Sequence, residues 1–319
     1  MATDLPQVVY LGREPAPGMI QQLQTAVQVH HITDIADIEA QLAKLSTAVR
    51  GLVTSASVGA KAQWLQHLPK LEAVSSFGVG VDALDLNYLQ ERGIQVGYTP
   101  DVLNDCVADL SLGLMLDVTR RISASDRYVR EGSWAQAPAA LRTQSSKKRV
   151  GLYGMGRIGQ EIATRCEAFK MPIAYYSRSP KTQLPYQYLP SLTALAEWAD
   201  ILVVIVPATD TTQGSVNRQV LQALGPSGYL INVARGSVIN EDDLLDSLEQ
   251  QHIAGAGLDV FYNEPRINPR FFSLDNVVLS PHAGSATRET RQAMGDLTVQ
   301  NLLQYFQTGR MITPFNEVG

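Results

Sequence analysis

The stretch Val150-Gly-Leu-Tyr-Gly-Met-Gly-Arg-Ile-Gly-Gln160 decides how the chain is read. An apolar run over 150–153 leads directly into Gly154-Met155-Gly156-Arg157-Ile158-Gly159. Residues 160–170 read as a helix. Strand, glycine turn and helix in that order predict a dinucleotide-binding β-α unit. Gly154 permits the tight turn. Gly156, lacking a Cβ, lets the backbone approach a pyrophosphate, and Gly159 lets helix and strand pack closely. The helix N-terminus offers free N–H groups and the positive end of its dipole to the phosphates.

Around this unit there is room for more. At 319 residues the chain is long enough for about two domains. Its 45% apolar content fills a globular core. The net charge of −5 excludes the basic face of a nucleic-acid protein, and Lys147-Lys148-Arg149 reads as a solvated loop before a strand. The N-terminal stretch has no basic head followed by an apolar block, so no signal peptide is expected. The longest strongly apolar run, 201–206, is too short for a bilayer. Only Cys106 and Cys166 occur, and the five histidines lack ligand spacing with them. No metal site and a cytoplasmic location are the expectations.

Taken in order, the first hundred residues alternate strand and helix signals. Strands are expected over 8–12, 29–32, 51–55, 71–77 and 94–98, and helices over 19–27, from Asp34 as N-cap, over 61–68 and over 86–92. This pattern predicts a small flavodoxin-like domain with a parallel sheet. After Thr99-Pro100-Asp101 a single long helix is expected over 104–130, apolar nearly all round in its middle and therefore buried. A long loop reaches Ser146 and includes Gly132-Ser133-Trp134. From Arg149 the alternation restarts, with six strands near 150–153, 173–177, 200–206, 228–233, 254–260 and 277–280. Helices are expected near 156–170, 192–199, 217–224 and 241–251. A last helix, 286–308, leads out, and the tail 311–319 is expected to return to the first domain. The fold class is thus α/β, with two Rossmann-like or flavodoxin-like domains and the active site in the cleft between them. Residues 1–99, completed by 288–319, form the substrate (lid) domain. Residues 100–287 form the dinucleotide-binding domain.

In open α/β sheets ligands bind beyond the carboxyl ends of strands. Asn232-Val233-Ala234-Arg235-Gly236 follows the fourth strand of the second domain. Gly257-Leu-Asp259 ends the fifth, with Glu264-Pro265 just after it, and Ser280-Pro-His282-Ala-Gly284 follows the sixth. A cation, an acid and a histidine at neighbouring strand ends suit hydride transfer to a 2-oxo acid. Arg235 can grip the substrate carboxylate or ketone oxygen through its planar fork. His282 can protonate the developing alkoxide. Glu264 can bond the other imidazole nitrogen and keep a proton available near neutral pH.

These motifs, over essentially the whole length, resemble the D-isomer-specific 2-hydroxyacid dehydrogenase family. The resemblance implies that Arg235, Glu264 and His282 are the catalytic set. It also implies that Asp259 holds the nicotinamide amide and that the main chain at Val79-Gly80 takes the substrate carboxylate. The stretch 68–82 and Thr99-Pro-Asp-Val-Leu are similar to the hydroxyphenylpyruvate and hydroxypyruvate/glyoxylate reductase branch. In that branch a tryptophan at the place of Trp134 reaches the partner subunit's active site, so a homodimer through 104–146 is expected. Besides the glycine turn, cofactor contacts are expected at Pro207, Thr212, Val233, Ala234, Arg235, Asp259, His282 and Gly284.

An NAD enzyme places an acid about 20 residues past the glycines for the ribose 2′-hydroxyl. Here the second strand ends Tyr175-Tyr-Ser177-Arg178-Ser179-Pro-Lys181, with no acid. A guanidinium between two hydroxyls suits a 2′-phosphate, so NADP(H) is expected over NAD(H). The reaction expected is reduction of glyoxylate, hydroxypyruvate or an aryl-pyruvate to the D-2-hydroxy acid. The competing reading is a non-enzymatic, NAD(P)-sensing corepressor on the same scaffold, against which the intact Arg235, Glu264 and His282 speak. A third reading is a formate or phosphite dehydrogenase; formate enzymes of this superfamily pair the histidine with a glutamine, so Glu264 speaks against that as well.

Overall fold

Short apolar runs, too short for buried helices and bounded by turns, form the parallel strands. The computed structural model describes residues 5–34, 36–45 and 48–315. The chain divides into two compact units, one of residues 1–103 and 287–319, the other of residues 104–286.

The first unit alternates β1 (Gln7–Leu11), α1 (Met19–Leu23), β2 (Gln28–Ile32), α2 (Ile38–Lys44), β3 (Val49–Ser55), α3 (Ala62–Leu65), β4 (Ala73–Phe77), α4 (Leu86–Glu91) and β5 (Gln95–Gly97). The sheet order is β2-β1-β3-β4-β5, all parallel, which is the flavodoxin order. Val9, Leu52, Val74 and Val96 meet Leu65, Leu68 and Leu89 in its core. The helix 19–27 proves short, because the chain turns after Leu23 with Ala26 and Val27 both bonding back to its carbonyl. Likewise only Ala62–Leu65 is helical within 61–68. Asp34 does not cap α2, whose N-cap is Asp37. The Asp34 carboxylate instead accepts the Ala36 N–H at 2.9 Å in a local turn. Ile35, in that same start, lies outside the described residues.

The second unit begins with α5 (Asn104–Arg120) and α6 (Ile122–Arg130), not one helix. Arg121 breaks it with φ 53°. Asp117 takes the free Ser123 N–H at 2.9 Å and the Ser123 hydroxyl, so an acid from the ending helix satisfies the start of the next. The buried face of α5, with Val107, Leu114, Met115 and Val118, packs on the sheet. Next come β6 (Val150–Tyr153), α7 (Arg157–Ala168), β7 (Ile173–Tyr176), β8 (Gln187–Tyr188), α8 (Leu192–Trp198) and β9 (Ile201–Val204). Then follow α9 (Arg218–Leu224), β10 (Tyr229–Asn232), α10 (Glu241–Glu249), β11 (Gly255–Leu258) and β12 (Val277–Leu279). The seven strands are parallel, in the order β12-β11-β10-β9-β6-β7-β8. The order reverses between β6 and β9, the switch point of a Rossmann sheet. The two-residue β8 was not expected; it is too short and polar to carry a periodic signal.

The last helix, α11 (Arg288–Thr308), capped by the Thr287 hydroxyl, belongs to the first unit. Its Thr298 carbonyl accepts from Ser75 of β4 at 2.7 Å. Beyond it, the Phe315 N–H bonds the Val96 carbonyl at 2.7 Å, so the tail does return to this sheet. Residues 316–319 of the expected tail lie outside the described residues.

Candidate active site

The glycine turn follows β6. Gly154 has φ 111°, and a Cβ there would stand 2.5 Å from the Ile205 carbonyl oxygen. A Cβ on Gly159 would stand 2.5 Å from the Gly154 carbonyl oxygen, so α7 starts hard against the turn. Gly156 caps α7 with no side-chain bond, and nothing lies within 4 Å of where its Cβ would be. The first turn of α7 carries no acid. Open space before an uncapped helix start fits a pyrophosphate. Met155 is buried in the core, Ile158 is half-buried, and Arg157 is exposed at the first position of α7.

At the end of β7, Arg178 and Ser179 are exposed and Ser177 is half-buried. No carboxylate occurs between Tyr176 and Gln187. The Ser177 hydroxyl donates to the Ser179 carbonyl at 2.8 Å, which commits its one hydrogen within the turn. After β9, the Thr212 hydroxyl donates to the Pro207 carbonyl at 2.7 Å and accepts the Thr209 N–H at 2.8 Å, closing the 207–212 loop.

The strands β10, β11 and β12 are neighbours, so their carboxyl ends lie on one edge. Val233 and Ala234 are buried past β10. The fully buried Asn232 shapes the next turn, accepting the Ala234 N–H at 3.1 Å and donating to the Arg235 carbonyl at 3.0 Å. Arg235 then opens a 3-10 turn, and its Nη1 donates to the Ala234 carbonyl at 2.8 Å. A Cβ on Gly236 would stand 1.9 Å from the Phe261 carbonyl carbon. Only glycine lets the Arg235 turn lie against the chain that leads to Glu264.

Asp259, buried past β11, accepts from the Ser280 hydroxyl at 2.5 Å, from Ala283 N–H at 2.7 Å and from Gly284 N–H at 2.8 Å. Its carbonyl accepts the His282 N–H at 2.8 Å. This frame holds His282 at φ 54°. A carboxylate offers about four acceptor sites, so Asp259 keeps room for one further donor. His282 Nδ1 lies 2.6 Å from Glu264 Oε2, and Glu264 Oε1 accepts the Phe261 N–H at 2.9 Å. Partial burial pushes the Glu264 carboxyl up. The His282 bond, the Phe261 N–H and the charges of His282 and Arg235 outweigh it, holding the group below the usual carboxylate range. An ionised carboxylate only accepts, so Nδ1 carries the hydrogen, and Nε2 is the ring nitrogen not engaged by Glu264.

Three expected substrate residues lie apart from this edge along the chain. Val79 and Gly80 follow β4 in the first unit, after Gly78. The Gly78 N–H and carbonyl are both held by Thr99, to its hydroxyl and from its N–H, each at 3.0 Å. Trp134 sits in a 3-10 turn after α6 and is 65% exposed in the single chain. Sequence reasoning assigned no role to Asn232, Ser280 or Thr99. The available signal was a polar residue at the end of an otherwise apolar strand. Among the described residues no cluster of three or more His, Cys, Asp or Glu could hold a metal, and no helix is long and apolar enough to cross a membrane.

Comparison with known proteins adds to this geometry. The family profile described as D-isomer specific 2-hydroxyacid dehydrogenase, NAD binding domain, matches residues 112–284. A glyoxylate/hydroxypyruvate reductase of Arabidopsis thaliana is 49% identical over 84% of this chain and 85% of its own. A hydroxyphenylpyruvate reductase of Plectranthus scutellarioides is 48% identical over 86% and 87%. Among solved structures, the NADPH-dependent glyoxylate/hydroxypyruvate reductase of Sinorhizobium meliloti, in complex with NADP and malonate, has a TM-score of 0.91. It is 41% identical and covers 98% of this chain and 97% of its own.

Proposed function

Because the chain belongs to the D-isomer-specific 2-hydroxyacid dehydrogenase family, we propose that it reduces a small 2-oxo acid to the D-2-hydroxy acid with NADPH. The substrates proposed are glyoxylate, hydroxypyruvate or an aryl-pyruvate, as the names of the relatives suggest. The observation that carries the reading is the 2.6 Å His282–Glu264 pair beside the Arg235 turn, on one edge of the sheet. NADPH, when bound at the glycine turn, supplies the hydride. Arg235 holds the substrate carboxylate in its planar fork and lowers the cost of charge on the ketone oxygen. His282 Nε2 gives that oxygen its proton, while Glu264 stabilises the imidazolium form and fixes the ring by Nδ1. Asp259 holds the His282 loop and keeps an acceptor site for the nicotinamide amide. The main chain at Val79-Gly80 takes the substrate carboxylate from the substrate domain. Arg178 receives the 2′-phosphate.

The protein is proposed to act as a homodimer through residues 104–146. Ile122, Val129, Trp134 and Leu141, all in that segment, are more than half exposed in the single chain, and such apolar groups favour a covered face. Trp134 is the residue proposed to reach the partner's site. A cytoplasmic location is proposed because the chain has only two cysteines, Cys106 and Cys166, and they form no disulfide.

The test is a kcat/KM panel over glyoxylate, hydroxypyruvate and 4-hydroxyphenylpyruvate with NADPH and with NADH. Turnover of at least one substrate, faster with NADPH at low cofactor concentration, is expected. Absence of turnover on every 2-oxo acid, with NADPH still bound, would replace the reading by the sensor.

A further inference from the structure

The Arg178 turn is held in part by residues outside the expected cofactor contacts. Between Tyr176 and Gln187 the chain forms no helix or strand, so main-chain ladders do not fix it. Two tyrosine hydroxyls do. Tyr175 is 1% exposed on β7, and its hydroxyl accepts the Lys181 N–H at 2.7 Å and reaches the Lys181 carbonyl at 3.4 Å. Tyr188 of β8 packs its ring edge against Tyr175, centroids 5.5 Å apart, and its hydroxyl donates to the Ser177 carbonyl at 3.4 Å. The Ser177 hydroxyl closes the middle on the Ser179 carbonyl. The turn is therefore pinned at both ends, at Ser177 and Lys181, and Arg178, Ser179 and Pro180 stand exposed between the pins.

We propose that Tyr175 and Tyr188 are positioning residues for cofactor selectivity. Their hydroxyls hold the 177–181 turn in the form that presents Arg178 to a 2′-phosphate. The proposal rests on the reading of Arg178 given above. The physical ground is pre-organisation: a cationic loop already in its binding form loses less conformational freedom when the phosphate arrives. NADH carries no 2′-phosphate and gains nothing from the arrangement. The effect of the tyrosines is thus specific to one cofactor, and a merely structural role would weaken both alike.

The test compares Tyr175→Phe, Tyr188→Phe, Arg178→Ala and the double variant of Tyr175 and Arg178. Steady-state kinetics are measured with each cofactor, alongside titration with 2′,5′-ADP and 5′-AMP. Losing one neutral hydrogen bond corresponds to about three- to tenfold in affinity. Tyr175→Phe is expected to raise the KM for NADPH and the Kd for 2′,5′-ADP by about that factor, leaving kcat, the KM for NADH and the Kd for 5′-AMP within about twofold. The longer Tyr188 bond gives the same selective change at the low end of the range. In the double variant Tyr175→Phe adds nothing to Arg178→Ala, because the residue it positions is gone. An unchanged KM for NADPH, parallel changes for both cofactors, or multiplying effects in the double variant would overturn the proposal. If Tyr175→Phe is recovered only as aggregate, Tyr188→Phe decides: a selective loss supports the brace and wild-type selectivity refutes it. If Arg178→Ala itself leaves the NADPH/NADH ratio unchanged, the 2′-phosphate reading has failed and the tyrosine proposal falls with it. If Arg178→Ala abolishes the preference while both tyrosine variants are inert, only the tyrosine proposal fails.

Discussion

Replacing Glu264 by glutamine separates charge from shape at the proposed catalytic pair. Glutamine keeps the size of the side chain but has one acceptor oxygen for the two donors that Glu264 serves, and with that oxygen turned to His282 Nδ1 a neutral hydrogen bond to the ring remains. The negative charge 2.6 Å from His282 Nδ1 disappears. A hydrogen bond to a charged group contributes about 1.5–3 kcal/mol against about 0.5–1.5 for a neutral one. The two side chains are 44% and 33% exposed, which screens the pair, so the difference falls near the low end, about 1 kcal/mol. That corresponds to about fivefold in the rate of a proton step that the charge assists.

The loss depends on pH. Glu264 ionises below the usual carboxylate range, so its charge is complete at neutral pH and above. There the variant should show the full deficit of about fivefold in kcat/KM for reduction. In acid the wild-type carboxyl itself takes up a proton as pH falls through its lowered range, and the deficit should close. The assay is NADPH oxidation against pH with the 2-oxo acid held well below its KM, so that the rate reads kcat/KM. A deficit of constant size across this range would make Glu264 a purely structural partner, and no deficit at all would refute the pair as the proton donor. The same lowered ionisation fixes the sign for stability. Its contribution is complete above the unfolded carboxylate's value and is lost as pH falls through the lower folded one. Thermal melts should therefore show wild type and variant converging in acid, with less than about 1 kcal/mol between them at neutral pH.

Gly236→Ala places a Cβ 1.9 Å from main-chain atoms at Phe261. The backbone must move, and a loss of about 1–3 kcal/mol in denaturant midpoint is expected, with a larger fall in kcat because Arg235 moves as well. Arg165 joins Asp105 and Asp109 of α5 to Glu161 of its own helix α7, at 2.6–2.9 Å. Its guanidinium is 21% exposed but the two α5 acids are mostly in solvent, so Arg165→Ala should cost only about 1 kcal/mol, a loss that shrinks in high salt. Trp134→Ala should leave the circular dichroism and NADPH binding intact while weakening the dimer on sizing columns and lowering kcat/KM. A monomeric wild-type protein with full activity would sink the homodimer reading.

The second sheet was readable because its strands, β8 excepted, are short apolar runs that lead into residues with special chemistry. Gly154 and Asp259 follow directly on buried strands, and His282 lies three residues past the end of the half-exposed β12. What stayed illegible depends on contacts distant in sequence. The break at Arg121 needs Asp117 to reach Ser123, and the helical pattern runs through it unchanged. The shortness of α1 and α3 comes from local turns that propensity does not resolve. Asn232 looked like part of a motif, yet its role is to tie both ends of the Arg235 turn from inside the core.

The sheet order divides the labour among these turns. On one side of the switch point, β6 and β7 carry the glycine turn and Arg178, the groups proposed to bind the cofactor. On the other side, β10, β11 and β12 carry Arg235, Glu264 and His282, the groups proposed to move or steady charge. Parallel strands place all of these turns along one edge. A substitution on the β7 side should then change which cofactor is held and leave the proton step alone. One on the β12 side should change the pH profile and leave cofactor choice alone. Combining Arg178→Ala with Glu264→Gln tests this division, since effects on independent sites multiply in rate. A pH profile of Glu264→Gln that depends on whether Arg178 is present would show that the two halves of the sheet are coupled, and the assignment of roles by strand would have to be redrawn.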